Sequence, residues 1–219
     1  NASGTAAVLE AARAIVGLGG RPAETILFVA FTAEEPGLWG SEALVADLAE
    51  SDADIVDMIN LDVIGYLEPG TRLDLSVTSE SFTSGVRALV ERISEVAAAY
   101  LPDRPFEVGD PPVCRQCSDH APFVLAGYPA VTFFEDLEHF RPFMHTTLDV
   151  VGIGLNSPEL LEAHARVAAA AIATFAGPFG PSEQPTFRRG DAAADGTVDV
   201  TDAIAILRYL LLQGDAPGC

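Results

Sequence analysis

The stretch Phe31-Thr-Ala-Glu34-Glu35-Pro-Gly-Leu-Trp-Gly-Ser41 follows directly on an apolar run that begins at Ile26. The apolar run predicts a buried β-strand, and the two glutamates stand where that strand ends and a glycine turn begins. In open α/β folds the carboxyl ends of the strands carry the chemistry. Adjacent carboxylates repel each other unless a bound cation or a proton offsets the repulsion. The stretch therefore predicts a metal ligand beside a proton acceptor, rather than two solvated surface acids.

The composition limits the class of protein. The chain has 219 residues, of which 49% are hydrophobic, and this is enough for one sizeable core and a small appendage. The net charge is −20, and all 12 basic residues are arginine. A nucleic-acid-binding face needs clustered positive charge, so we expect no nucleic acid partner. No uninterrupted apolar run reaches about 18 residues, so no membrane span is predicted.

The order of predicted elements indicates an α/β fold. The predicted helices cover residues 3–18, 41–48, 81–100, 120–125 and 158–175, and the predicted strands cover residues 26–31, 55–64, 73–77 and 130–134. Strands that alternate with helices are typical of a three-layer architecture, with a mostly parallel sheet and helices on both faces. The Pro/Gly-rich segment 177–186 predicts a linker between a domain of residues 1–176 and a small unit of residues 187–219.

Further polar motifs stand near the predicted strand ends. The motifs are Asn1-Ala-Ser-Gly-Thr5, Asn60-Leu-Asp62-Val-Ile-Gly-Tyr66, Cys117-Ser-Asp-His-Ala-Pro-Phe123, Gly127-Tyr-Pro-Ala-Val-Thr-Phe-Phe-Glu135 and His145-Thr-Thr-Leu-Asp149. Together with Glu34 and Glu35, and in this order, they resemble peptidase family M28, whose members are co-catalytic zinc aminopeptidases and carboxypeptidases. The resemblance covers about residues 1–176 and implies the zinc-peptidase fold for that part of the chain.

The resemblance implies roles for four side chains. Glu34 is similar to the general base that takes a proton from the attacking water, and Glu35 is similar to a ligand of one zinc ion. Asp62 is similar to a ligand of the other zinc ion, and His145 to a late histidine ligand that shares its zinc with Glu35. Carboxylate and imidazole groups suit Zn²⁺, although Mn²⁺ and Co²⁺ bind similar sites. The implied function is a secreted di-zinc exopeptidase, foremost an aminopeptidase, that hydrolyses peptide bonds with metal-activated water.

Two further ligands of such a site have no counterpart in residues 1–219. The family pattern also has an upstream histidine in an HxD motif, and a bridging aspartate immediately before the Asn-Ala-Ser-Gly sequence. That second position falls just before Asn1. We therefore expect the chain to be an N-terminally truncated part of a competent enzyme, and we expect residues 1–219 by themselves to be nearly inactive.

Other residues of the motifs have more than one interpretation. Asp119 and His120 either support the metal ligands from behind or cap the short helix that follows them. Tyr128 either lines a substrate pocket or fills the core. Cys114 and Cys117 form a CxxC sequence without a second pair, so a local disulfide is favoured over a zinc site, free thiols or a redox motif. A disulfide agrees with secretion.

The acidic tail resembles one half of a dockerin. The residues at positions 1, 5, 7, 9 and 12 of a 12-residue calcium loop are Asp191, Asp195, Thr197, Asp199 and Asp202. Gly196 stands at the sharp turn, whereas Ala193 replaces an oxygen ligand at position 3, so we expect weak Ca²⁺ binding. The resemblance implies an extracellular protein with a cohesin-like partner. The alternative is an acidic linker before a short helix.

Two other functions are compatible with the motifs of residues 1–176. One is a single-zinc acyltransferase related to glutaminyl cyclases, and the other is a receptor-like ectodomain that has the fold without catalysis. The acidic pair together with Asp62 favours a two-metal peptidase, since non-catalytic relatives tend to lose ligands. Zinc content separates the three functions, because they require two, one and no zinc ions per chain.

Overall fold

The computed structural model describes residues 1–110, 116–136 and 142–181. The helices are α1 (Ala2–Gly17), α2 (Trp39–Glu50), α3 (Ser84–Tyr100), α4 (Ala121–Leu125) and α5 (Pro158–Phe175). The strands are β1 (Gly20–Arg21), β2 (Met58–Leu61), β3 (Leu75–Thr78), β4 (Phe106–Gly109), β5 (Ala130–Phe134) and β6 (Gly180–Pro181). The described strands β2 to β5 form one sheet in the order β2-β5-β3-β4.

The sheet is mixed rather than fully parallel. Strand β5 runs parallel to β2, with Met58 opposite Ala130, and β3 runs parallel to β4. The central pairing of β3 with β5 is antiparallel. The prediction of a mostly parallel sheet therefore holds for two of the three described pairings. The antiparallel pairing and strand β4 were not predicted.

Helices cover both faces of this sheet. Successive side chains of a strand point to opposite faces. Val131 and Phe133 of β5 belong to the main core with residues of α1, α3 and α5. Ala130 of the same strand packs instead with Val45 of α2 and Phe123 of α4. The sequence prediction of a three-layer α/β architecture agrees with this packing.

The apolar run 26–31 departs from its prediction, because the structure assigns it no strand. Leu27 is 62% exposed, and residues 26–31 line a cavity of about 990 Å³ together with α1 and β2. The prediction of a buried, paired strand is wrong for the described structure. Hydrophobicity can indicate that a segment prefers burial, but a strand also needs a neighbouring strand at hydrogen-bonding distance. Residues 26–31 and β2 both line the cavity, and no strand pairing joins them.

Helix α1 begins against the end of β2. The side chain of Asn1 caps the helix, since its Oδ1 accepts from the backbone N of Gly4 at 2.8 Å. Its Nδ2 donates to the carbonyl of Leu61 at 2.9 Å. A Cβ atom on Gly4 would lie 1.9 Å from the same carbonyl oxygen, so only glycine allows this approach. The Asn-x-x-Gly pattern therefore attaches α1 to the residue that precedes Asp62.

His164 connects α5 to the sheet from within the core, where it is 0% exposed. The backbone N–H of Ser76 donates to its Nε2 at 3.4 Å, so the neutral ring must carry its proton on Nδ1, which donates to the carbonyl of Leu160. Burial lowers the pKa of His164 to about 4. Protonation of Nε2 would place a charge in the core and break the bond from Ser76.

We expect the chain to lose stability in acid through His164. A histidine pKa that is lower in the folded than in the unfolded state stabilises the fold above pH 6.5, and this contribution disappears as the pH falls towards 4. Between pH 7 and pH 4.5 the free energy of unfolding should fall by about 2–3 kcal/mol more in the wild type than in His164→Gln. Urea unfolding followed by circular dichroism measures both slopes. Equal pH slopes would show that the ring is not desolvated.

The chain divides into two compact units, Asn1–Phe179 and Gly180–Cys219. Residues 182–219 lie outside the described residues, and so do all the predicted calcium ligands of the tail. Residues 111–115, which include Cys114, and residues 137–141 lie outside them as well. None of the helices within the described ranges is long and apolar enough to cross a membrane.

Candidate metal centre

Glu34 and Glu35 lie in a tight turn that leads into α2. The backbone N–H groups of Gly37 and Leu38 both donate to the carbonyl of Glu34, at 3.0 and 2.8 Å. The turn folds back so closely that a Cβ atom on Gly40 would lie 2.4 Å from the carbonyl oxygen of Thr32. These two hydrogen bonds and the close approach at Gly40 fix the backbone that carries both carboxylates.

His145 meets Glu35 although 110 residues separate them in the sequence. Its Nε2 lies 2.8 Å from Oε1 of Glu35, and both side chains are about two-thirds exposed. The backbone of His145 is left-handed, with φ of 61°, a region in which histidine is enriched among non-glycine residues. The structure thus brings together the two residues that the family resemblance assigns to one zinc ion.

Glu34 lies among the other predicted site residues. Burial and the negative charges of Glu35, Asp62 and Asp119 raise the pKa of Glu34 to about 7, and His145 opposes this increase. A carboxyl group with a pKa near neutrality can both accept and release a proton at physiological pH. Glu34 therefore combines a position next to Glu35 with a pKa that suits proton transfer.

Hydrogen bonds hold the Asp62 carboxylate itself and also the backbone of the residues that follow it. The Ser118 hydroxyl donates to its Oδ2 at 2.7 Å. Val63, the next residue, has φ of 56°, which is strained for a β-branched side chain. The carbonyl of Val63 accepts from the backbone N–H of Glu135 at 2.8 Å, and the Glu135 carboxylate accepts from the backbone N–H of Tyr66. These bonds fix the loop that carries Asp62 in one conformation.

The remaining predicted residues occupy different surroundings. Asp119 accepts a hydrogen bond from Ser41 at 2.6 Å, and burial raises its pKa. His120 is fully buried, and neither ring nitrogen has a hydrogen-bond partner within the described residues. Tyr128 packs against the small hydrophobic cluster of α2 and α4. Cys117 is disulfide-bonded, and Cys114 lies outside the described residues, so their pairing stays a prediction.

The donor set fits zinc in part. Glu35 and His145 supply an oxygen and a nitrogen ligand that nearly touch, and this combination suits Zn²⁺. Asp62 lies close enough to act on the pKa of Glu34. However, no group of three or more His, Cys, Asp or Glu side chains within the described residues is arranged to hold a metal ion. The described residues therefore offer a pair of ligands and a third nearby carboxylate, not a closed site.

The exposed Glu35–His145 pair offers metal ligands, and the neighbouring Glu34 carboxyl group of near-neutral pKa can transfer protons, so the arrangement is compatible with a metal-dependent hydrolase. Similarity to known proteins identifies one family within the metal-dependent hydrolases. Residues 1–172 match peptidase family M28, and the chain belongs to that family.

Relatives of this chain are aminopeptidases. Leucine aminopeptidase 1 of Paracoccidioides brasiliensis is 34% identical over 159 residues, which cover 68% of this chain and 39% of that protein. Among solved structures, BSAP, a zinc aminopeptidase from Bacillus subtilis, is 27% identical with a TM-score of 0.63, covering 83% of this chain and 44% of that one. The aminopeptidase of Aneurinibacillus sp. strain AM-1 is 26% identical with a TM-score of 0.63, covering 85% and 42%. This chain therefore spans about two-fifths of the length of these relatives.

Two supporting residues, Asn60 and Ser41, were not predicted from the sequence. Asn60 donates a hydrogen bond to Ser118, and Ser41 donates one to Asp119. The sequence could have predicted a role for Asn60, because a polar residue inside the apolar run Met58–Leu61 needs a hydrogen-bond partner in the core. Nothing similar in the sequence indicated a partner for Ser41, since serine is common near the start of a helix.

Proposed function

We propose that this chain is part of a secreted di-zinc aminopeptidase. The observation that carries the proposal is the contact of 2.8 Å between Glu35 and His145 in a chain of family M28, with Glu34 beside it. The relatives described as leucine aminopeptidase and zinc aminopeptidase support the choice of metal and substrate. The disulfide of Cys117 supports secretion, because disulfides persist in oxidising compartments.

In this proposal Glu35 and His145 hold one zinc ion and Asp62 holds the other. The bound ions supply a Lewis acid that acidifies water and polarises the peptide carbonyl. The hydrogen bond from Ser118 orients the Asp62 carboxylate, and the contact with Glu35 orients the His145 ring. The resemblance implies that two more ligands, a histidine and an aspartate, complete the site.

Glu34 moves the proton in this mechanism. It lies next to a ligand, and its partly buried carboxylate accepts a proton as water attacks the peptide carbonyl. The same carboxyl group then donates the proton to the departing amine, which must leave in its neutral or protonated form. A pKa that burial raises favours both transfers, since a strongly acidic carboxyl would be a poor base.

An assay of the protein encoded by the complete reading frame around residues 1–219 tests the function. We expect two zinc ions per chain, hydrolysis of leucine p-nitroanilide, and loss of that activity with 1,10-phenanthroline that added zinc restores. One zinc ion with cyclisation of N-terminal glutamine would support an acyltransferase instead. A zinc-free protein without hydrolytic activity would contradict the proposal.

For the tail we propose a separate half-dockerin module of residues 187–219, joined by the linker 177–186, that binds a cohesin-like partner. The spacing of its acidic residues supports this proposal. Four aspartates repel one another in the absence of a cation, so Ca²⁺ should order the loop.

We expect the tail to bind Ca²⁺ with a Kd on the order of 10⁻⁴–10⁻³ M or weaker, because Ala193 removes one oxygen ligand. Calorimetric titration of the whole chain should show a binding event that the double variant Asp191→Ala, Asp199→Ala lacks. The matched control is Asp215→Ala, which removes a tail carboxylate outside the loop. If the double variant binds Ca²⁺ as the wild type does, the tail is an acidic linker.

A further inference from the structure

A buried amide lies behind the Asp62 carboxylate. Asn60 stands on β2 two residues before Asp62 and is only 9% exposed. Its Nδ2 donates to the hydroxyl oxygen of Ser118 at 2.7 Å and to that of Thr132 at 3.1 Å. Ser118 is 1% exposed and Thr132 is 0% exposed, so solvent does not reach these bonds. Asn60, Ser118 and Asp62 thus form a chain of hydrogen bonds that is buried at Asn60 and Ser118 and ends at a partly buried candidate metal ligand.

The protons of this chain have only one consistent arrangement. A primary amide has two N–H donors, whereas each hydroxyl has a single proton. Because Asn60 donates to both hydroxyl oxygens, each hydroxyl must direct its own proton elsewhere. Ser118 donates to Oδ2 of Asp62 at 2.7 Å, and Thr132 donates to the carbonyl of Phe133 at 3.2 Å.

The opposite orientation of the amide fails on the same distances. If Oδ1 of Asn60 faced Ser118, it would attract the hydroxyl proton away from Asp62. The Ser118 oxygen and an ionised carboxylate oxygen would then lie 2.7 Å apart with no proton between them. Two acceptor oxygens repel each other at that separation. The short contact between Ser118 and Asp62 therefore requires the amide to present its N–H groups.

We propose that Asn60 is a positioning residue that determines the direction of the Ser118 hydroxyl and, through it, the orientation of the Asp62 carboxylate for metal binding. The inference rests on the proposed function, since Asp62 is a zinc ligand only there. Without the amide, the Ser118 hydroxyl can rotate towards another acceptor, and the carboxylate loses its fixed donor. In metal sites, loss of a partner that holds a ligand lowers metal affinity by about 10–100-fold.

The test is zinc affinity, measured by competition with a chelator in the protein from the complete reading frame. We expect Ser118→Ala to weaken zinc binding about 10–100-fold, and Asn60→Leu, which has a similar shape, to weaken it at least about 5-fold. If Asn60 acts through Ser118, the double variant should be no weaker than Ser118→Ala alone. Should Asn60→Leu not fold, Asn60→Ala removes the same amide without needing new space.

Thr132→Val is the matched control. It removes the other partner of the Asn60 amide and keeps the side-chain shape, but it leaves the bonds from Asn60 to Ser118 and from Ser118 to Asp62 in place. We expect its zinc affinity to stay within about 2-fold of the wild type. A merely structural role of the buried cluster would instead lower zinc affinity equally in Thr132→Val and Asn60→Leu, and would overturn the inference.

Two further results separate this inference from the proposed function. A wild-type protein that binds no zinc would overturn both. A wild type that binds zinc, with unchanged affinity in Ser118→Ala or additive losses in the double variant, would overturn only the role of Asn60 and Ser118.

Discussion

Glu34→Gln should abolish peptide hydrolysis and leave zinc content unchanged. Glutamine has nearly the shape of glutamate but cannot accept a proton from water, and loss of a general base lowers kcat by about 10²–10⁴-fold. Zinc should stay bound, because the proposed ligands are Glu35, Asp62 and His145 rather than Glu34. The measurement is kcat on leucine p-nitroanilide together with zinc content after dialysis, in the protein from the complete reading frame.

Glu42→Gln is the control for this experiment. Glu42 is an exposed carboxylate in the first turn of α2, eight residues from Glu34, and its loss should leave kcat and zinc content unchanged. A Glu34→Gln enzyme with nearly wild-type kcat would remove Glu34 from the mechanism. A variant that loses zinc as well as activity would instead identify Glu34 as a ligand.

Removal of any proposed ligand should lower zinc content and activity together. In Glu35→Ala or His145→Ala one half of the 2.8 Å pair is missing, so the ion that the pair is proposed to hold loses one of its ligands. Asp62→Ala removes the carboxylate that Ser118 holds. Since the two zinc ions of a co-catalytic site depend on each other, we expect less than two zinc ions per chain after dialysis and a loss of kcat of about 10³-fold or more in each variant.

Glu50→Ala is the matched control, because it also removes a carboxylate but lies at the exposed end of α2. This variant should keep both zinc ions. Added zinc should restore part of the activity if the variant has a weakened site, and none if the ligand is also needed to orient the substrate. Retention of two zinc ions by one of the three variants would exclude that residue from the ligand set.

Much of the fold could be predicted from the local pattern of the sequence. Helix α5 and strand β5 occupy the predicted residues, Pro158–Phe175 and Ala130–Phe134. Their signals are local, because helical spacing of apolar residues and a short apolar run between turns are properties of neighbouring residues. The acids and the histidine of the candidate site were assigned from the resemblance to family M28, and their roles stay predictions.

Tertiary structure decided what depends on distant residues. The sequence predicted a buried strand at residues 26–31, but the folded chain leaves this run without a paired strand beside a large cavity. The antiparallel pairing of β3 with β5 could not be predicted from the sequence either, because strand order depends on packing and not on the periodicity of apolar residues.

In the candidate site, too, the sequence determined the residue types and the tertiary structure determined their contacts. The residue types of Glu35 and His145 were readable from the sequence, but only the fold brings their side chains to 2.8 Å across 110 positions. The direction of the Ser118 proton depends on Asn60 and Asp62 together, and both are more than 50 positions away from Ser118 in the sequence. A sequence determines which groups are available for chemistry. Their distances and the directions of their protons are determined by the packing of the sheet that carries them.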